Sequence, residues 1–227
     1  MAEGKENLAE NLQEGLGKVE QFFEDNKQKV YIGAGVLAVV VVAVVYLFAR
    51  YIPEQNLKAQ KAMYMAEFAF AKDSFDLALN GRVGGGSPFK GFADVAKNYG
   101  WTKAGKLANY YAGISCLNLK KYDEAAKYLG NFSTSDPVLG AIKLSAQGDA
   151  YMESGKTDEG ISAYEKAASF SDNQTFTPYF LLKTGLAYEK VKKPSDAKKC
   201  YEKVLEKYPN SEEGRDIEKY IARVSTQ

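Results

Sequence analysis

The sequence predicts an all-α protein: an N-terminal amphipathic helix, a single transmembrane helix, and a superhelix of stacked helical hairpins with a C-terminal capping helix. Three observations predict it. Residues 30–49 are an apolar run in a chain that is 26% charged, the first 29 residues carry apolar side chains at helical spacing, and glycines recur at 113, 148 and 185. The predicted boundaries are 1–29 for the amphipathic segment, 30–49 for the membrane span, 50–104 for a linker and degenerate first repeat, 105–210 for three repeats, and 211–227 for the cap.

The first 29 residues are predicted to form a helix with one apolar stripe and an otherwise charged surface. The stripe consists of Leu8, Leu12, Leu16, Val19 and Phe22 or Phe23, at steps of three and four. Four lysines against seven carboxylates give this segment a net charge of −3. Two interpretations stay open: a helix that lies on the membrane surface or frays in solvent, and a docking helix for a partner on that side of the membrane.

The stretch "VYIGAGVLAVVVVAVVYLFA", Val30 to Ala49, is uncharged over twenty residues. At 1.5 Å per residue, a helix of that length spans about 30 Å, the thickness of a bilayer's hydrocarbon core. It has no polar face, unlike a soluble core helix, and its acidic leader without an A-x-A site is unlike that of a cleaved signal. We therefore predict a retained anchor. Lysines and arginines are balanced at its two ends, so charge does not determine the orientation. Pro53 is expected to end or kink the helix.

After the span, helical spacing resumes at Leu57 and continues to residue 79. The stretch "NGRVGGGSPFKG", Asn80 to Gly91, has the composition of a flexible loop, and it lacks the Gly-Lys-Ser/Thr ending of a phosphate-binding loop. "FADVAKNYG", Phe92 to Gly100, is then expected to be the second helix of a degenerate hairpin whose first helix lies within 57–79.

The repeat is defined by Gly113, Gly148 and Gly185, which lie 35 and 37 residues apart. Cysteine or tyrosine follows three residues later, alanine or glycine twelve later, and leucine or tyrosine sixteen later. This pattern predicts two antiparallel helices per unit, with small residues allowing close approach and stacked neighbours burying what one pair cannot. Asp123 and Ser195 are expected to be N-caps of second helices. "SEEGRDIEKYIARV", Ser211 to Val224, is expected to be the polar-faced cap.

Most chemistry is disfavoured by composition. The chain has no histidine and two cysteines, and its net charge is +1. We therefore expect no enzyme, no metal or cofactor site, no small-molecule substrate and no nucleic-acid partner. Four repeat tyrosines, at 151, 164, 188 and 201, are expected in the core, and Cys116 and Cys200 are expected to be small buried hydrophobes.

The spacing resembles the tetratricopeptide repeat over Lys106 to Pro209. The resemblance implies a superhelix whose inner face is lined by the first helix of each unit, as a groove for an extended or helical peptide. The lysine and asparagine constellation that such domains use to clamp a C-terminal carboxylate is absent. An alternative is that the capping helix fills the groove. By spacing from the glycines, the predicted groove residues are Leu107, Tyr110, Ile114, Leu117, Ser145, Asp149, Met152, Tyr179, Leu182 and Leu186.

The order of segments, with "YGWTKAGKLANYYAGISCLNLKKYDEAAKYL" in the first repeat, resembles the YfgM-like inner-membrane proteins of Gram-negative bacteria, particularly bacteroidete-type members. The resemblance implies an ancillary Sec translocon subunit with a cytoplasmic N-terminus and a periplasmic repeat domain. Its implied partners are the translocon, a membrane-anchored periplasmic folding factor and emerging polypeptides. Two alternatives stay open: a scaffold in envelope or outer-membrane protein assembly, and a cytosol-facing import receptor.

Overall fold

The computed structural model describes residues 16–18, 21–170 and 172–226. The chain divides into two compact units, Met1–Glu54 and Gln55–Gln227. The helices are α1 (Lys27–Tyr46), a π-helical segment (Leu47–Tyr51), α2 (Ile52–Phe70), α3 (Phe75–Asn80), α4 (Phe92–Tyr99), α5 (Lys103–Asn118), α6 (Tyr122–Asn131), α7 (Pro137–Glu153), α8 (Thr157–Phe170), α9 (Thr177–Lys190), α10 (Pro194–Lys207) and α11 (Glu212–Ser225). The strands β1 (Gly81–Arg82) and β2 (Phe89–Lys90) lie between α3 and α4. The predicted all-α class is confirmed.

Helix α1 buries none of its residues, although it is the most apolar segment of the chain. Its exposed side chains include Val39 and Val42, which are 70% and 68% accessible. A helix this long and apolar is sufficient to cross a membrane. Much of the predicted amphipathic stripe, at Leu8, Leu12 and Val19, lies outside the described residues, whereas Leu16, Phe22 and Phe23 are described and exposed.

Of the two outcomes predicted at Pro53, an end or a kink, the end of the helix is wrong. Helical backbone continues from Lys27 to Phe70, and the π-helical segment Leu47–Tyr51 directly precedes Pro53. Proline has no amide hydrogen, and its ring crowds the carbonyl four residues earlier, here that of Ala49. This carbonyl lies in the wider π turn, so the helix accommodates the proline by a local change in its hydrogen-bonding pattern.

Each repeat glycine faces the residue sixteen positions later, in the second helix of its own hairpin. A Cβ added to Gly113 would lie 2.6 Å from Leu129 Cγ, and one added to Gly148 would lie 2.5 Å from the ring of Tyr164. At Gly185 an added Cβ would collide with the ring of Tyr201. Because only glycine leaves room for these side chains, the helices of each hairpin pack closely, as predicted.

The three hairpin turns share one backbone geometry, with a left-handed residue seven positions after each glycine. Lys120 and Lys192 have φ of 58°, and Gly155 has φ of 80°. In the first turn, Lys121 N–H donates to Cys116 O at 2.8 Å and Lys120 N–H donates to Leu117 O at 3.0 Å. The same pair of bonds recurs in the other two turns. This is the Schellman arrangement, which satisfies carbonyls at the end of the first helix.

This turn also corrects the predicted N-caps. Helix α6 begins at Tyr122 with Lys121 as its N-cap, and α10 begins at Pro194 with Lys193 as its N-cap. Asp123 and Ser195 therefore lie inside the first turn. The left-handed residue redirects the chain sooner than the sequence pattern predicts, and Asp123 there stabilises the positive end of the helix dipole.

The degenerate first hairpin differs from the expected one in two ways. The segment 57–79, predicted to contain the first helix, is divided between two helices, because one ends at Phe70 and the next begins at Phe75. The glycine-rich segment holds the two-stranded hairpin of β1 and β2, with Arg82 opposite Phe89, so the flexible-loop prediction is wrong for its ends. A Cβ on Gly81 would collide with the backbone of Phe89 and Gly91, which explains a glycine at the base of the hairpin.

The core of the repeats consists of separate clusters of buried side chains. One cluster joins the first hairpin to α5 and α6, with Phe92 stacked on Tyr111 at 5.0 Å between ring centroids. A second joins α7 to α11 around Tyr201 and Ile217, both fully buried. Of the four tyrosines predicted in the core, Tyr164 and Tyr201 are buried, while Tyr151 and Tyr188 are partly buried.

Helix α11 is fixed by a cap and an ion pair. Ser211 Oγ accepts from Gly214 N–H at 3.0 Å, and Arg223 donates twice to Glu189 of α9, at 2.9 and 2.6 Å. Tyr201 OH also donates to Glu189. Burial alone would raise the pKa of Glu189, but the hydrogen bonds from Arg223 and Tyr201 outweigh it and hold that pKa below its usual range. The carboxylate therefore fastens the last helix to the repeat before it.

Candidate functional site: the inner face of the repeats

The ten predicted groove residues lie on the first helices of the three hairpins, α5, α7 and α9. They occupy equivalent offsets from the repeat glycines, which puts them on one face of each helix. Their accessibility is uneven. Tyr179 and Leu186 are exposed (45% and 41%), Ser145 and Met152 are buried, and the other six are half-buried: Leu107, Tyr110, Ile114, Leu117, Asp149 and Leu182.

Three of the ten residues line one cavity of about 410 Å³ between α7 and α9, which we call the distal slot. These are Ser145, Asp149 and Tyr179. Sequence analysis missed the other residues of this cavity, which are Ile142, Ala146, Thr175, Phe176, Phe180, Lys183 and Glu213. The slot therefore combines an apolar floor with a few charged groups, as binding clefts commonly do.

Met152 and Leu186 line a smaller adjacent cavity of about 220 Å³, which shares Lys183 with the distal slot. Leu107 lines a third cavity of about 560 Å³, which we call the proximal slot. The proximal slot is lined by Lys103, Lys106, Leu107, Phe132, Ser133, Thr134, Ser135 and Leu139. Tyr110 lies beside it, with its ring 5.3 Å from that of Phe132. Ile114, Leu117 and Leu182 line none of these three cavities.

Lys183 is the central polar residue of the groove. Its Nζ donates to the Asp149 carboxylate and, at 3.4 Å, to Ser145 Oγ. The ammonium also lies over the rings of Tyr164 and Tyr179, 4.9 and 5.2 Å from their centroids. Its side chain is only 16% accessible. A charge this enclosed needs a partner, and the pair is formed across 34 residues of sequence.

Tyr164 completes this cluster from α8, the second helix of the hairpin that contains Asp149. Its hydroxyl donates to Asp149 Oδ1 at 2.5 Å. Burial raises the pKa of Tyr164, and the hydrogen bond to Asp149 adds to the effect. The phenol is therefore protonated at any physiological pH and serves as a fixed donor. The sequence prediction included Asp149, one residue after Gly148, but missed the lysine two residues before Gly185 that pairs with it.

Helix α11 contributes Glu213 to the distal slot and directs its main apolar side chains elsewhere. Ile217 and Val224 are buried in the cluster formed with α10. Glu213 is half-buried and makes no ion pair within the described part of the chain. The capping helix thus borders one end of the distal slot and leaves its floor open.

The described residues do not assemble a metal-binding cluster. No group of three or more histidine, cysteine, aspartate or glutamate residues in the described ranges could hold a metal ion. Cys116 and Cys200 are both free thiols, and burial raises the pKa of each to about 11. At neutral pH these thiols are therefore protonated and unreactive.

Comparison with known proteins identifies the repeats. Two family models described as tetratricopeptide repeat match residues 144–174 and 179–211. A crystal structure of nearly identical TPR-like repeats from Podosopora anserina, a provisional kinesin light chain, covers 78% of this chain and 85% of its own, with 11% identity and a TM-score of 0.52. No curated protein matches the sequence. At this identity the likeness shows the fold alone. The repeats indicate a protein–protein interaction adaptor, and this fold is typically a non-catalytic scaffold.

Proposed function

We propose that this tetratricopeptide repeat protein is a membrane-anchored adaptor associated with the Sec translocon. Its N-terminus would be cytoplasmic, and its repeats would bind partner proteins or emerging polypeptides in the periplasm. The observation that carries the adaptor role is the open inner face, where the proximal and distal slots expose apolar floors. The translocon and the topology rest on the resemblance to YfgM-like proteins.

The proposed mechanism is local concentration. An adaptor tethered to the bilayer beside its partners needs only modest affinity, because a tether converts binding into a nearly intramolecular event. The half-buried and exposed aromatic residues of the inner face, Tyr110 and Tyr179, offer contact area at low conformational cost. The ion pair of Lys183 and Asp149 joins α9 to α7 within the lining of the distal slot.

Site-specific photocrosslinking tests the adaptor role. We expect a crosslinker at Tyr110 or Leu182 of the full-length chain in cells to capture a translocon-associated partner. Lys203, exposed on the second helix α10, is the matched outer control. Capture from Lys203 with none from the inner face would refute use of the groove.

Topology is tested separately with reporters fused after Gln227 that are active in only one compartment. Periplasmic activity supports the proposed orientation. Cytosolic activity would refute it and favour a cytosol-facing import receptor. Crosslinking only to envelope or outer-membrane assembly proteins would favour the assembly scaffold instead.

A further inference from the structure

The proximal and distal slots occupy equivalent positions in consecutive repeats. Leu107 in the proximal slot and Ile142 in the distal slot each lie six residues before the glycine of their own repeat. Leu139 and Phe176 each lie nine residues before the glycine of the next repeat. Each slot is therefore the gap between the first helices of neighbouring repeats, and its apolar floor recurs from one repeat to the next.

The charges of the proximal slot are positive. Lys103 and Lys106 line it together with three consecutive hydroxyl residues, and none of its lining residues is acidic. Neither lysine makes an ion pair within the described ranges. The neighbouring carboxylate of Asp136 is already engaged as the N-cap of α7, where it accepts from Leu139 N–H at 2.8 Å. An entering carboxylate would thus meet two cations and several hydroxyl donors.

The charge left over in the distal slot is negative. Asp149 and Glu213 line it against a single cation, Lys183. Lys183 is already paired with Asp149, which leaves Glu213 as the carboxylate without an ion pair in the described part of the chain. The ring of Tyr179, which has the Lys183 ammonium 5.2 Å from its centroid and is 45% exposed, offers further aromatic surface to a cation. This slot therefore suits a basic side chain.

We propose that the inner face selects a bipolar peptide segment: an acidic side chain at Lys103 and Lys106, apolar residues over the floors, and a basic side chain at Glu213 and Tyr179. This inference rests on the proposed adaptor function and specifies its partner. Neighbouring helices are about 8–10 Å apart and an extended chain rises about 3.3 Å per residue, so the two charges lie about two or three positions apart. Charges at such a rim decide which segment binds more than how tightly it binds.

The test uses the full-length chain in detergent and four fluorescein-labelled peptides, Gly-Ser-X-Leu-Phe-Z-Ser-Gly. X and Z are Asp and Lys, Lys and Asp, both Asp, or both Lys. By fluorescence anisotropy, we expect one of the two mixed orders to bind about threefold to tenfold more tightly than either like-charged peptide. The doubly substituted Lys103→Glu/Lys106→Glu chain should shift the preference to the double-Lys peptide, and Glu213→Lys should shift it to the double-Asp peptide. Lys203→Glu, a charge change outside the groove, should leave the order of affinities unchanged.

The outcomes separate this inference from the proposed function. Equal affinities for the four peptides, all weakened by Tyr179→Ala, would overturn the charge assignment and leave the groove as a binding site. Binding that Tyr179→Ala does not weaken would overturn both. If none of the peptides binds, the charge assignment is overturned, and crosslinking at Tyr110 decides the adaptor function independently. Far-ultraviolet circular dichroism of each variant establishes that it is folded, and Glu213→Gln, which only removes the charge, should reduce the preference without reversing it.

Discussion

Replacing Gly148 by alanine should destabilise the second hairpin, although alanine is the better helix former. The added Cβ would lie 2.5 Å from the ring of Tyr164 and 3.2 Å from Gly160 O, whereas ordinary contacts begin near 3.4 Å. Neither neighbour yields easily, because the ring of Tyr164 is 5% accessible and its hydroxyl is held by Asp149. The helices must therefore separate by several tenths of an ångström.

The magnitude follows from two opposing effects. Overpacking in a core costs about 1–3 kcal/mol, and alanine in place of glycine inside a helix returns about 1 kcal/mol. The matched control is Gly130→Ala, whose Cβ would meet only Gln147 Nε2 at an ordinary 3.5 Å and so keeps the helix benefit. The two variants should then differ by about 1–3 kcal/mol in the free energy of unfolding. For a domain of this size, each kcal/mol shifts the midpoint by about 2–4 °C.

Thermal unfolding of the detergent-solubilised full-length chain, followed by circular dichroism, measures this difference. We expect Gly148→Ala to unfold several degrees below Gly130→Ala. Gly148→Ala should lower the unfolding temperature less in a chain that already carries Tyr164→Leu than in the unsubstituted chain, because the obstructing ring is gone. Gly148→Ala unfolding at or above the temperature of Gly130→Ala would refute the close-approach explanation.

Three further predictions concern the turns, the cap and the hairpin. Lys192→Gly should raise the free energy of unfolding by about 0.5–1 kcal/mol, since glycine adopts the left-handed backbone without strain. Gly155→Ala should lower the free energy of unfolding by about 1 kcal/mol for the same reason. Urea unfolding of the two variants measures both changes. Arg223→Ala should cost about 1 kcal/mol at neutral pH. Because the pKa of Glu189 is depressed in the folded state, this contribution is present above its unfolded pKa and disappears as acidification protonates Glu189, so the two unfolding curves should converge at low pH. Gly81→Ala should open the β1–β2 hairpin, detected as faster amide exchange of residues 81–90, and unchanged exchange would contradict the steric argument.

The sequence by itself determined the helical class, the apolar segment and the hairpin pairing. These features depend on short-range spacing. A glycine and its partner sixteen residues later belong to one hairpin, so their contact is encoded at a fixed distance along the chain, as for Gly185 and Tyr201. Twenty uncharged residues likewise need no tertiary information to be recognised as a span.

Some backbone details could not be predicted from the sequence, because more than one local conformation is compatible with the residue types at each position. Asp123 is a residue type that commonly caps helices, but the left-handed turn at Lys120 lets the helix begin at Tyr122. Asp123 therefore lies in the first turn of the helix. Pro53 has the chemistry of a helix terminator, but the π-helical segment before it absorbs the missing bond. Each outcome depends on local geometry that residue type alone does not select.

Only the tertiary structure decided the character of the groove. Periodicity predicts which residues of α5, α7 and α9 share a face, but not which side chains meet across neighbouring repeats. The pairing of Lys183 with Asp149, and the position of Glu213 beside them in the distal slot, bring together residues 30 or more positions apart. Long charged side chains reach partners set by how helices cross and stack, and that stacking is a property of the folded superhelix rather than of any one repeat.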